Sequence, residues 1–229
     1  MQQKKFRNQH GLFVVEGIKM VRELISSHFE VHGIFTTDAS VVSDYEGEVE
    51  TITEEQLRKM SGFANPNTVI GVFEIAKVER PDSDGWLLAV DTLRDPGNLG
   101  TIIRLCDWFG IEYVVCSEKT VDCYNPKTLQ ATMGSIARVK VGYTDLPAFL
   151  KQAELPVYGA FMEGENVYTA KMPEKGILVV GNESNGITPE VQALVSQKIS
   201  IPQYGKASAE SLNVASATAI LLNEIRRMG

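Results

Sequence analysis

The chain has 229 residues, 44% of them hydrophobic and 22% charged, with a formal net charge of −7. That composition belongs to a soluble globular protein with one large or two smaller cores, and its acidity argues against a general nucleic-acid binder. No apolar run approaches the ~18 residues of a membrane span, and the opening MQQKKFRNQHG lacks the apolar stretch of a secretory signal. In chain order, GLFVVEG reads as a short strand and IKMVRELISS as an amphipathic helix with Ile18, Val21, Leu24 and Ile25 on one face. VHGIFTT is a second strand, TEEQLRKMSG a helix capped by Thr53, and NTVIGVFEIA a third strand. KVERPDSDG, rich in turn formers, is the linker candidate.

Beyond it the apolar runs lengthen. WLLAVDT, IEYVVCS, the RVKV run, PVYGAF, GILVVG and KISIP are strand candidates. They alternate with the helix-like segments GTIIRLCDWFG, NPKTLQATMG, LPAFLKQ, TPEVQALVS and SLNVASATAILLNEIRR. Such alternation predicts an α/β fold with a parallel sheet of about five or six strands, WLLAV being apolar enough for burial on both faces. Charge is uneven: residues 1–28 carry a net +3 and residues 29–60 a net −6. A basic leading segment on an acidic body suits RNA on one face, with Lys4, Lys5 and Arg7 as the candidate contacts. A solvated helix start would account for the same charges.

Cys106, Cys116 and Cys123 show no C-x-x-C spacing and read as buried thiols of a cytoplasmic protein. His10, His28 and His32 all lie near the start, which leaves few ways to build a zinc site, and no metal is expected. GNESNGIT, residues 181–188, has the glycine spacing of a P-loop, but Ile187 stands where the phosphate-binding lysine belongs. Ser184 cannot be the nucleophile of a Ser-Asp-His hydrolase, because no histidine follows it. The G-x-G-x-x-G of a dinucleotide-dependent oxidoreductase is absent too. What remains is a tight turn carrying Glu183, with Thr188 as a cap before Pro189. A second loop, 202–211, leads into a helix with Ser211 and Asn213 at its mouth. The third, DTLRDPGNLG, crowds Asp91, Asp95 and Asn98 after WLLAV and places Arg104 on the next helix. Its plain reading is a turn with Asn98 or Thr101 as cap and Arg104 paired to an acid. All three loops follow apolar strands, and ligands of α/β sheets bind beyond the carboxyl ends of strands, so one shared site is expected.

Taken together, N-L-G-T-I-I-R, G-N-E-S-N-G-I and I-P-Q-Y-G-K-A-S-A-E-S-L-N-V closely resemble the three motifs of the SpoU/TrmH branch of the SPOUT methyltransferases. These enzymes transfer a methyl group from S-adenosylmethionine to a ribose 2′-hydroxyl in RNA. The resemblance spans about residues 86–227, and KKFRNQHGLFVVEGIKMVRELI resembles the family's RNA substrate-binding domain. It implies a substrate-binding α/β domain at 1–77, a linker at 78–85, and a methyltransferase domain at 86–229 whose parallel sheet carries a trefoil knot. It also implies a homodimer. By the same resemblance Asn98, Arg104, Glu183, Ser211 and Asn213 are the catalytic set, while Gly181, Ile201 and Leu212, with Met133 and Gly134 closing over them, hold S-adenosylmethionine. Ser184, where the family often has Gly or Ala, and Ala215, where it often has Ser, depart from the pattern without removing a group the chemistry needs. Ribosomal RNA is the expected substrate, with transfer RNA and a catalytically silent RNA- or cofactor-binding role as alternatives.

Overall fold

The computed structural model describes residues 3–77, 81, 84–205 and 211–228. The linker and the third loop therefore lie partly outside the described residues, Glu210 among them. The chain opens with α1 (Lys4–His10), a helix that sequence reading passed over because a single apolar residue, Phe6, among its seven sets no period. Strand β1 (Leu12–Glu16) alternates buried and half-buried positions, as expected for a sheet with one covered face. Helix α2 (Ile18–Ile25) buries Val21 and Leu24. Next come β2 (Val31–Thr36), the short β3 (Val49–Thr51) and α3 (Glu54–Met60). The cap of α3 is a capping box: Thr53 accepts from the Gln56 amide while the Gln56 side chain accepts from the Thr53 amide. Strand β4 (Val69–Glu74) completes a four-stranded sheet of order β1-β4-β2-β3, in which only β2 and β3 run parallel.

The second sheet begins with β5 (Trp86–Val90), buried at every position. Then follow α4 (Pro96–Trp108), β6 (Tyr113–Ser117), α5 (Pro126–Thr132), β7 (Lys140–Thr144) and α6 (Leu146–Lys151). Strand β8 (Val157–Asn166) outruns its apolar start by several exposed residues, because pairing with β10 sustains it. After β9 (Gly176–Val180), also fully buried, come a single turn of helix α7 (Pro189–Gln192), β10 (Gln197–Ser200) and α8 (Val214–Met228). All six strands are parallel, in the order β10-β8-β9-β5-β6-β7. Helices α4, α5 and α8 cover one face, and α6 and α7 pack with Leu87, Ala89, Ile177 and Val179 on the other. Among the described residues no helix is long and apolar enough to cross a membrane.

Close packing on the first face depends on Gly100. A Cβ there would lie 2.5 Å from Ala131 Cβ and from the Thr128 carbonyl, so α4 and α5 meet backbone to backbone. The two sheets share one core. Tyr124, two residues before α5, sits with its ring 4.4 Å from Phe13 of β1 and edge-on to Phe29. Arg7 clamps the same junction: its Nη2 lies 2.5 Å and its Nε 3.1 Å from Asp122 Oδ2. Only 3% of the Arg7 side chain is exposed, so it does not offer its guanidinium to RNA as its place in a basic segment suggested. Lys4 and Lys5 do remain exposed. A second strut joins Arg138 to Glu23 of α2 and, at 2.9 Å, to Asp107 of α4. Burial works against ionisation of Asp107, but hydrogen bonds from Arg138 and Ser135 outweigh it and hold its carboxyl below the ordinary range.

Removing one partner of a buried pair leaves the other charge uncompensated. Arg7→Met should lower the free energy of unfolding by about 3 kcal/mol, and Arg7→Met with Asp122→Leu should recover most of it. Urea unfolding of the three proteins measures both; an unchanged midpoint in the single variant would show that the junction does not depend on the pair.

Candidate active site

The parallel sheet places the ends of β5 and β9 side by side, so their loops meet. Asp91, 2% exposed, lies at the end of β5, where its amide donates to the Val180 carbonyl. Its Oδ2 accepts from the Thr188 amide at 2.8 Å and from Thr188 Oγ1 at 2.7 Å. Thr188 thus spends its hydroxyl tying two loops together and makes no side-chain cap on α7, contrary to the sequence reading. Asn182 Nδ2 donates 2.8 Å to the carbonyl of Thr92, whose positive φ of 55° is uncommon outside glycine and is held by this bond. Asn182 also pairs with Gly186 through both backbone groups, folding residues 182–186 into a closed turn. Gly181 has no alternative, since a Cβ would sit 2.3 Å from the Gly186 carbonyl carbon. The cap of α4 is Asp95, which accepts from the Asn98 amide at 2.7 Å, rather than Asn98 or Thr101.

That cap frees the Asn98 side chain. Its Nδ2 donates to Glu183 Oε1 at 2.9 Å, and its Oδ1 accepts from Asn213 Nδ2 at 3.0 Å. Asn213 Oδ1 in turn accepts from the amides of Ala215 and Ser216 at the start of α8. The polarity is determined at one end. A carboxylate only accepts, so Asn98 must turn its NH₂ toward Glu183, which leaves its oxygen for Asn213. One charge therefore orients two amides and the first turn of a helix, across three loops far apart in sequence.

Two of the five expected catalytic residues stand outside this chain of bonds. Ser211 is exposed beside Asn213 and has no hydrogen bond to a described residue. Arg104 lies six residues beyond Asn98 on α4, roughly 9 Å along the axis and on another side of the helix. It is exposed and, among the described residues, makes no ion pair of the kind the sequence suggested. Arg94, exposed in the first loop and likewise unpaired, is a cation that sequence reading overlooked. Asp91, Thr92 and Asn182 were missed as positioning residues as well, since only the pairing of β5 with β9 brings them together. The expected cofactor residues flank the relay: Gly181 precedes Glu183 by two residues, and Leu212 precedes Asn213 by one. Leu212 is 51% exposed and Met133 49%, while Ile201 is half-buried. Met133 takes a left-handed conformation at the end of α5 and is followed by Gly134 at φ 98°. The three cysteines are buried and free, and burial raises all three thiols, that of Cys123 to about 12, so none is a nucleophile. Among the described residues no cluster of three His, Cys, Asp or Glu side chains comes together to hold a metal.

Two family models match the chain, the SpoU rRNA methylase family over residues 85–223 and an MRM3-like substrate-binding domain over residues 1–71. The chain is 32% identical to a 23S rRNA guanosine 2′-O-methyltransferase of Bacillus subtilis, over 97% of this chain and 92% of that one. A solved TrmH-family protein from Porphyromonas gingivalis superposes with a TM-score of 0.92 at 35% identity, covering 100% of this chain and 94% of the other. An AdoMet-bound rRNA methyltransferase from Sinorhizobium meliloti does so with a TM-score of 0.86 at 30% identity, covering 99% and 91%. The chain belongs to the SpoU rRNA methylase family. It is an RNA ribose 2′-O-methyltransferase that uses S-adenosylmethionine.

The residues present fit that cofactor. Leu212, next to Asn213, offers exposed apolar surface of the kind an adenine ring covers, whereas Met133 lines a cleft with residues of β1, α2 and α5. Substitutions should separate the donor and acceptor ends of the relay. Glu183→Gln can still present a carbonyl oxygen to Asn98 and should stay close to wild-type stability. Asn98→Asp sets a second carboxylate against Glu183 and should cost about 1 kcal/mol, read as a fall in the urea midpoint at neutral pH. Equal midpoints for the two variants would refute this polarity.

Proposed function

We propose that the relay Glu183–Asn98–Asn213 is the floor of the methyl-transfer site and that ribosomal RNA is the substrate. The observation that carries this reading is the bonding of one residue from each of the three loops into a single chain. Similarity to the B. subtilis 23S rRNA enzyme supports ribosomal over transfer RNA. We take residues 1–77 as the RNA-recognition unit and 86–229 as the catalytic one. Gly181, Ile201 and Leu212 would hold the cofactor, with Met133 and Gly134 at its edge. Bound there, S-adenosylmethionine supplies a methyl group already activated on a sulfonium, so the remaining task of the protein is to align and polarise a weakly acidic hydroxyl.

In the reaction the ribose O2′ forms a bond to the methyl carbon as the carbon–sulfur bond breaks, its electron pair staying on sulfur. The hydroxyl proton departs to water or to a phosphate of the RNA. Positioning of the two reactants supplies several kcal/mol when the attack is in line. Arg104 clamps a phosphate and polarises the hydroxyl with its fixed fork of donors, a role that suits an exposed, unpaired guanidinium. Always protonated, it has no lone pair with which to accept the proton itself. Ser211, at the mouth of α8, borders the acceptor ribose, while Lys4 and Lys5 meet the RNA backbone at the other end of the molecule. Asp95, Asp91 and Asn182 are positioning residues that act through Asn98 and Glu183.

A homodimer is part of this reading. Thr101, Arg104 and Trp108 share one face of α4, and Trp108 is 83% exposed, far more than an indole gains from water. A trefoil knot is supported by the path of the final segment. From β10 at one edge of the sheet the chain returns to place Asn213 against Asn98, beside the loop after β9.

Arg104→Lys keeps the charge but loses the bidentate fork, and kcat should fall at least ~100-fold with cofactor affinity unchanged. Tritiated methyl transfer to a ribosomal RNA transcript, with calorimetry for the cofactor, tests this; near-wild-type turnover would remove Arg104 from the mechanism. Trp108→Asp should convert the protein to a monomer in sedimentation velocity, and a wild-type chain that sediments as a monomer would end the dimer proposal.

A further inference from the structure

The face where the two sheets join carries a cleft outside the relay. A cleft of about 310 Å³ opens between β1, α2 and the Phe63–Asn67 loop on one side and α5 on the other. That volume lies at the lower end of small-ligand pockets, which begin near ~300 Å³. Its lining comes from both family matches, residues 14–67 from the substrate-binding part and residues 124–133 from the methylase part. None of Asn98, Glu183 and Asn213 borders it, although Met133, taken above as an edge of the cofactor site, does. Buried Tyr124 and Leu129 form an apolar base, and half-buried Phe63 provides a ring at the wall. Two amide side chains, Asn67 and Gln130, line it from the two parts; both are exposed, and neither bonds to a described residue. Lys19, exposed and unpaired among the described residues, stands at the rim.

An aromatic wall, an apolar floor, two unspent amides and one rim cation are the elements that recognise an unstacked base in RNA. The ring stacks, the amides read a Watson–Crick edge, and the cation meets the adjoining phosphate. We propose that this cleft receives one unpaired nucleobase of the RNA substrate, a nucleotide distinct from the one that is methylated. The inference rests on the RNA-methyltransferase reading and deepens it. Because Arg7–Asp122 and Arg138–Glu23 fix the two parts against each other, the cleft measures the spacing between the recognised base and the methylated ribose. Specificity for one position would then come from distance along a folded RNA rather than from the catalytic loops.

The test uses the full chain and a ribosomal RNA transcript containing 4-thiouridine at unpaired positions. Gln130→Trp fills the mouth from an exposed helix position, and Asn67→Ala removes one reading amide. Each should raise KM for RNA about tenfold, with kcat at saturating RNA and calorimetric affinity for S-adenosylmethionine unchanged. Photocrosslinks of the wild-type protein should fall on Phe63 or its neighbours in the cleft. Unchanged KM in both variants, or crosslinks confined to other surfaces, would overturn the proposal. If a variant loses cofactor affinity as well, the crosslink position in the wild-type protein decides alone. A wild-type protein that crosslinks in the cleft but transfers no methyl group to RNA would instead defeat the underlying functional reading.

Discussion

Everything at the catalytic edge depends on the hydrogen bond between Asn98 and Glu183. An amide side chain has two faces that differ only in which atom donates, and left alone it could present either. The carboxylate removes that freedom, because it has no proton to give. From that choice follows the orientation of Asn213, and from Asn213 the first exposed amides of α8 are satisfied. Helix starts carry unpaired donors, so a correctly turned oxygen there both stabilises the helix and anchors the segment leading into it. The third loop is thereby registered against the first two by a single ionised group.

A relay of exposed bonds cannot hold three loops unaided, since each is weakened by competing water. Its support is the more buried layer beneath: Asp91 with Thr188, and Asn182 with Thr92 and the Gly186 turn. These bonds lie directly at the ends of β5 and β9, two strands buried along their whole length. Rigidity is therefore passed from the apolar centre of the sheet to Asp91 and Asn182, and only then to the residues that face solvent. Such layering is what a site needs when its chemistry consists of alignment. The cations Arg94 and Arg104, by contrast, have no partner among the described residues, which suits groups that must wait for phosphate.

The other end of the molecule is governed by a different balance. The four-stranded sheet packs α3 on one face through Leu57 and Ile70, and on the other Tyr124, just before α5, meets Phe13 and Phe29. Arg7 and Arg138 then add charge pairs that fix orientation more than they add stability. Burial of Arg7 has a functional cost, since one basic residue is withdrawn from any RNA contact.

Local periodicity and turn chemistry were enough to determine most strands and most helices. Unbroken apolar runs such as WLLAV and GILVV can be buried only inside a parallel sheet, and Thr53 with Gln56 announces a capped helix. The motif residues Asn98, Glu183 and Asn213 were legible too, but only as a resemblance, since no spacing rule links positions so far apart. Helix α1 and the short β3 were not legible, because their formation depends on neighbours rather than on their own pattern, whereas the cap at Asp95, followed by Pro96 and bonded three residues on, is local and was passed over. What tertiary structure alone decided was pairing: which amide meets which carboxylate, that Thr188 serves Asp91, and that Arg7 turns inward. Charge and hydrogen-bonding capacity are written in the residue type, but the partner that uses them is set by the adjacency of strands, which no single segment contains.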